Sequence, residues 1–182
     1  MAAERITIHG KTFEKTIPEA EILRAVETVA ERIAADYKEK NPVFVVVLSG
    51  AFVFASDLLR MIKFPCQIAF TKLKSYAGLE STGKIIEQLP VSEDISGRHV
   101  VIIEDIVETG YSMQFLKEVL ADKHPASMEI CAFSFKPDKL RVKGLEVKYV
   151  GMHLPDAFIV GYGLDYNHQG RQLRDIYSLV KD

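Results

Sequence analysis

Two apolar runs constrain this chain more than any other feature. Val43 to Leu48 reads VFVVVL, and Val100 to Ile103 reads VVII. Both are continuous rather than alternating, and most of their residues are β-branched. A strand with one wet face alternates apolar and polar residues. An unbroken run therefore points to a strand covered on both faces, as in a parallel sheet flanked by helices. Ile130 to Phe135 gives a third central strand. Each run stops at a polar or small group: Ser49-Gly50, Glu104-Asp105 and Lys136.

Helical patterns separate these runs. Ile22, Val26, Val29, Ile33 and Tyr37 recur at steps of three and four, which predicts a helix over Pro18 to Lys40. Thr16 reads as its N-cap and Pro18 as part of its first turn. Asn41-Pro42 is its stop signal. Phe52 to Ile62 and Ser112 to Ala121 read as two further helices. Pro65 to Leu73, Ile85 to Leu89, Val147 to Val150 and Phe158 to Gly161 read as additional strands, and Ser75 to Gly83 as a small, polar loop. Strands alternating with helices of about ten residues argue for a doubly wound α/β sheet. Ligands of such sheets sit beyond the carboxyl ends of the strands, where the three polar stops fall.

The totals narrow the function. A chain of 182 residues suits one domain, or one domain with an appendage, and is long enough for a sizeable core. The formal net charge of −2 gives no broad electrostatic reason to expect nucleic acid or an anionic membrane as partner. No apolar run approaches the roughly 20 residues of a membrane span, and MAAERITIHG lacks a signal-peptide core. Cys66 and Cys131 form no CxxC pair and read as two buried, reduced thiols. A cytoplasmic location is the expectation.

The richest segment is HVVIIEDIVETGYSM, His99 to Met113. Glu104 and Asp105 fall where the strand is expected to leave the sheet. Adjacent carboxylates repel, and burying either alone is costly. A cation, or sugar hydroxyls that donate hydrogen bonds, would offset that cost. Thr109, Gly110 and Ser112 lie at the start of the next helix, whose free N–H groups and positive dipole end suit a phosphate. One short segment can thus hold a polyol through its acids and a phosphate through its turn, and ribose 5-phosphate has that shape.

The stretch VVIIEDIVETGYSM resembles the PRPP-binding signature of the type I phosphoribosyltransferases. The whole chain is similar to the hypoxanthine-guanine phosphoribosyltransferase family, through LSG at Leu48 to Gly50, SY at Ser75-Tyr76, STG at Ser81 to Gly83, FKPDKL at Phe135 to Leu140 and LPDAFIVGYGLDYNHQGRQL at Leu154 to Leu173. The resemblance implies a mostly parallel twisted sheet with helices on both faces plus a small hood. The core would span about residues 18–150 of a single domain, 1–182, with the hood built from the N-terminal segment and about 151–182.

The resemblance also implies roles. Glu104 and Asp105 would face the ribose hydroxyls and a Mg²⁺ ion, with Asp165 a second metal-binding acid beside the purine. Glu108, Thr109, Gly110, Tyr111 and Ser112 would wrap the 5-phosphate. Leu48, Ser49 and Gly50 would form the pyrophosphate loop, often built on a cis peptide, and Arg171 would bind pyrophosphate. Lys136 would donate to the purine's six-position oxygen, Phe158 would stack on the base, and Ile159 would read its edge through the backbone. Ser75 and Tyr76 would begin a mobile lid. Glu108, Lys136 and Arg171 are the implied catalytic residues.

The implied reaction joins PRPP to hypoxanthine or guanine in purine salvage, giving a nucleoside monophosphate and pyrophosphate. A homodimer or homotetramer is expected by the same resemblance. Three positions depart from the commonest pattern: Glu108 stands where aspartate is usual, Ser49 where lysine is common, and Tyr111 where lysine or another residue is frequent. Two further readings stay open on the sequence, a xanthine-preferring enzyme and a PRPP- or nucleotide-sensing regulator with the same fold.

Overall fold

The computed structural model describes residues 4–75 and 85–180. Ten strands and three helices fill it: β1 (Arg5–Ile8), β2 (Lys11–Ile17), α1 (Glu19–Tyr37), β3 (Val43–Leu48), α2 (Phe52–Met61), β4 (Gln67–Ser75), β5 (Ile85–Leu89), β6 (His99–Val107), α3 (Tyr111–Ala121), β7 (Ser127–Phe135), β8 (Tyr149–His153), β9 (Ile159–Val160) and β10 (Ile176–Leu179). A single 3-10 turn, Pro137–Lys139, follows β7. No helix among the described residues is long and apolar enough to cross a membrane.

The main sheet has the order β5-β4-β3-β6-β7-β8. All its pairings are parallel except β4 with β5. The apolar runs are continuous because successive residues serve opposite faces. Phe44, Val46, Val101, Ile103, Cys131 and Phe133 pack with α1 and α2 on one side. Val43, Val45, Val100, Ile102, Ile130 and Ala132 pack with α3 on the other. Burying such side chains contributes roughly 1.5–3 kcal/mol each relative to exposure, so both layers are needed to satisfy one strand.

A second sheet, β1-β2-β10-β9, is antiparallel and joins the two ends of the chain. The sequence reading does not anticipate β1, β2 or β10, and it places Phe158 to Gly161 without assigning a sheet. Phe13, Val160 and Tyr177 form the small core beneath this sheet.

Several expectations require correction. Thr16 does not cap α1: its hydroxyl donates to the Ile176 carbonyl at 3.3 Å and lies 3.0 Å from Ser178 Oγ, because Thr16 belongs to β2. Pro18 occupies the cap position instead. Asp175 Oδ1 accepts from the Glu19 N–H at 2.7 Å, so a distant carboxylate satisfies a donor that a local cap would take. The helix ends at Tyr37, short of Asn41-Pro42. Cys131 is buried, but Cys66 is only partly so. The strand carrying the acids runs on to Val107 rather than ending at Ile103. Its pairing with β3 reaches Val46↔Ile103, whereas its pairing with β7 continues to Val107↔Phe135. Glu104 and Asp105 therefore sit inside β6, beyond its last pairing with β3.

Candidate active site

A cavity of about 480 Å³ opens at the carboxyl ends of β3, β6 and β7. Its lining brings together Leu48, Gly50, Glu104, Asp105, Glu108 and Ser112 with Lys136, Phe158, Ile159, Asp165 and Arg171. A smaller hollow of about 240 Å³ adjoins it, lined by Glu104 to Gly110, Ser112 and Met113. The parallel sheet delivers the ends of β3, β6 and β7 to one edge, and the segment leading into and through the second sheet brings Phe158, Ile159, Asp165 and Arg171 to the same cavity.

Gly50 holds the floor. The peptide between Leu48 and Ser49 is cis. A Cβ built on Gly50 would fall inside the Asp105 carboxylate, so only glycine lets the loop lie against that acid. Gly163 (φ +95°) approaches from the other side, and a Cβ there would collide with the Gly50 carbonyl.

Glu104 is buried, and Asp105 stands half-buried beside it. Burial first, and the neighbouring Asp105 charge second, push the Glu104 carboxyl well above its ordinary range. Burial also raises Asp105, offset in part by the Glu104 side chain, the Ile106 N–H and the Arg171 charge. Backbone donors serve both: Asp105 N–H donates to Glu104 Oε1 at 3.0 Å and Ile106 N–H to Asp105 Oδ1 at 2.7 Å. Two carboxylates so placed attract a cation or hydroxyl donors.

The following turn carries the smaller hollow. Gly110 takes a left-handed conformation (φ +86°) and caps α3. A Cβ there would press on Leu140 and Leu145 at 2.8 and 2.7 Å. The free N–H groups at the start of α3 lie beside Thr109 and Ser112, an arrangement suited to a phosphate. The Tyr111 side chain, 55% exposed, does not line either hollow. Ser49 is likewise absent from both linings, although its neighbours Leu48 and Gly50 line the larger one.

Opposite this turn, Lys136 is almost fully buried. Its ammonium donates to Glu108 Oε1 at 2.6 Å and to the Ala157 carbonyl at 2.8 Å. Phe158 stands half exposed at the cavity wall, with its ring centroid 6.3 Å from Phe13 and 5.6 Å from Tyr166. Asp165 Oδ1 pairs with Arg171 Nη2 at 2.6 Å, and Arg171 Nη1 donates to the Gly163 carbonyl at 2.6 Å. Asp165 Oδ2 also accepts from the His168 N–H at 2.7 Å. Ser75 closes strand β4, and Tyr76 lies outside the described residues, as does Ser81 to Gly83.

The sequence reading misses two side chains in this wall. Lys139 and Asp156 both line the cavity and pair with each other at 2.7 Å. Lys139 stands three residues after Lys136 in FKPDKL, and that spacing was the available signal.

The family model for the phosphoribosyl transferase domain matches residues 16–167. The fold is accordingly that of a type I phosphoribosyltransferase. A hypoxanthine-guanine phosphoribosyltransferase of Aquifex aeolicus is 35% identical over 179 residues, covering 96% of this chain and 98% of that protein. The hypoxanthine phosphoribosyltransferase of Salmonella typhimurium is 36% identical over 172 residues, covering 93% and 96%. The crystal structure of a hypoxanthine phosphoribosyltransferase from Staphylococcus aureus superposes with a TM-score of 0.86 at 36% identity, covering 92% of this chain and 91% of that one. The chain belongs to the hypoxanthine-guanine phosphoribosyltransferase family and is a pentosyltransferase.

Proposed function

We propose that this enzyme transfers the phosphoribosyl group of PRPP to a 6-oxopurine, hypoxanthine or guanine, forming IMP or GMP and releasing pyrophosphate. The observation that carries the reading is two adjoining hollows that share the Glu104–Asp105 pair, one holding a glycine-capped helix start and the other the Lys136–Glu108 pair beside an exposed aromatic ring. Glu104 and Asp105 receive the ribose hydroxyls, and the turn from Glu108 to Ser112, with the backbone of Tyr111, receives the 5-phosphate. The Leu48-Ser49-Gly50 loop and Arg171 take the pyrophosphate. Arginine suits that task because its charge is permanent and its fork is bidentate.

The base enters against Phe158, with the Ile159 backbone at its edge. Lys136 has three N–H donors and no acceptor, so it favours an oxo over an amino group. Glu108 accepts the proton from the purine imidazole nitrogen as the bond from that nitrogen to the anomeric carbon forms. The bond from the anomeric carbon to the pyrophosphate oxygen breaks in the same step, and that oxygen keeps the electron pair. Arg171 holds the negative charge that develops there.

The acid pair fits Mg²⁺. No set of three His, Cys, Asp or Glu side chains gathers at metal-binding distance among the described residues, and Asp165 is held by Arg171. Glu104 and Asp105 would therefore supply part of a coordination sphere, which suits an ion that takes one or two carboxylates and completes its shell with substrate oxygens and water. Bound there, Mg²⁺ would offset the charge of the departing pyrophosphate. Asp165 would serve as a second acid toward the ion once pyrophosphate draws Arg171 away.

The chain works as one domain, with a core of about 18–150 and a hood from the N-terminal segment and about 151–182. The lid would begin at Ser75 and Tyr76. A cytoplasmic homodimer or homotetramer is the proposed state, and Ile68 and Phe70, exposed side by side on β4, leave apolar surface for assembly. Pyrophosphate release with PRPP and Mg²⁺, offering hypoxanthine, guanine, xanthine and adenine in turn, tests the reading. Release with hypoxanthine or guanine and formation of the matching nucleotide is expected; binding of PRPP without release on any base would overturn it.

A further inference from the structure

Lys136 and Lys139 bracket the 3-10 turn Pro137–Lys139. Their ammoniums project to the same side, since both approach Glu108 Oε1. That side is the cavity, which both line. Lys136 reaches the Ala157 carbonyl at 2.8 Å, and Lys139 reaches the adjoining Asp156 carboxylate at 2.7 Å. The two lysines also share one oxygen of Glu108, at 2.6 and 3.8 Å. The carboxylate of Asp156 is the leading cause that holds the Lys139 ammonium above its ordinary range. Phe158 follows Ala157 directly in the chain. The backbone that presents the stacking ring is thus fastened twice to the turn that faces Glu108.

We infer that Lys139 is a positioning residue for the purine: with Asp156 it sets the spacing between Phe158 and the Glu108–Lys136 pair, and so the width of the slot that receives the base. This inference rests on the purine-transfer reading for the identity of the ligand, but the fastening itself exists in the free enzyme. The pair is partly exposed, with side chains 33% and 65% accessible, and its effect is correspondingly modest. Neither residue belongs to the acid pair, the phosphate turn or the pyrophosphate loop. Its loss should act on the purine and spare PRPP.

Two measurements on the full chain test it. In steady-state assays, Lys139→Met and Asp156→Asn should each raise the hypoxanthine KM about three- to tenfold with the PRPP KM unchanged. The double variant should be no worse than either single one, and Lys139→Arg should restore the wild-type value. In hydrogen–deuterium exchange of the unliganded proteins, the peptide covering 154–159 should exchange faster in Lys139→Met and Asp156→Asn than in wild type, with 100–107 unchanged. An unaltered hypoxanthine KM, additive single effects, or a matching rise in the PRPP KM would overturn the inference. Unaltered exchange at 154–159 would overturn it without any recourse to activity. A wild-type enzyme inert toward every purine would instead remove the purine-transfer reading, and the exchange result would still decide whether Lys139 fastens this segment.

Discussion

The buried ammonium of Lys136 lies 2.6 Å from Glu108 Oε1, which joins the group suited to read the purine oxygen to the group suited to take its proton. Glu108 and Ala157 accept two of its three N–H groups, which leaves one for substrate. The second Glu108 oxygen is the candidate acceptor for the imidazole proton. The extra methylene of glutamate over aspartate extends the carboxylate by about one bond length.

Glu108→Gln should lower kcat by roughly 100- to 10,000-fold, the usual range for loss of a general base, with little change in the PRPP KM. The amide can still hydrogen bond but takes no proton. Steady-state kinetics with hypoxanthine decides this, and an unchanged kcat would remove Glu108 from the role.

Lys136→Met keeps the apolar stem and removes the donors. The purine KM should rise about 10- to 100-fold, as expected for loss of a charge-assisted hydrogen bond. Discrimination of hypoxanthine against adenine should shrink with it. Intact hypoxanthine affinity, read by competition or calorimetry, would count against Lys136 as the purine reader.

Glu104→Gln should stabilise the free protein at neutral pH by about 1–2 kcal/mol while weakening its use of Mg²⁺ and PRPP. Glu104 has a folded-state pKa raised well above 4.5 by burial and by Asp105. A raised acid keeps its proton longer folded than unfolded. Its favourable contribution is therefore present below pH 4.5 and is lost as the pH rises toward the folded value. The gain in melting temperature of the variant should vanish on acidification to about pH 4. A gain that is independent of pH would refute this linkage.

Gly50→Ala should cost about 100-fold in kcat/KM for PRPP, because the new methyl group must displace either the loop or Asp105. The purine KM should change far less. Equal damage to both substrates would mean that the substitution had disturbed the whole site rather than the pyrophosphate loop.

Local sequence pattern is enough to define the core of the sheet and the chemical types at its edge. VFVVVL and VVII are short-range patterns, and an unbroken β-branched run has few stable settings other than a strand packed on both faces. Glu104, Asp105 and the Thr-Gly turn were legible for a similar reason, since their meaning depends on neighbours within a few residues. The hood enters the sequence reading only through the family resemblance, and its individual strands are not legible in local pattern. RITI and KTFEKTI become strands by pairing with one another and with β10, about 160 residues away, and nothing local announces that partner. The start of α1 depends on a distant partner in the same way: Thr16 has the chemistry of a cap, yet Asp175 accepts the bond from Glu19. Long-range packing brings Lys136 to Glu108, sets Arg171 against Asp165 and Gly163, and turns Lys139 toward the cavity. Hydrogen bonds and ion pairs act over a few ångströms of space, so residues far apart in the chain acquire such partners only when the sheet has closed.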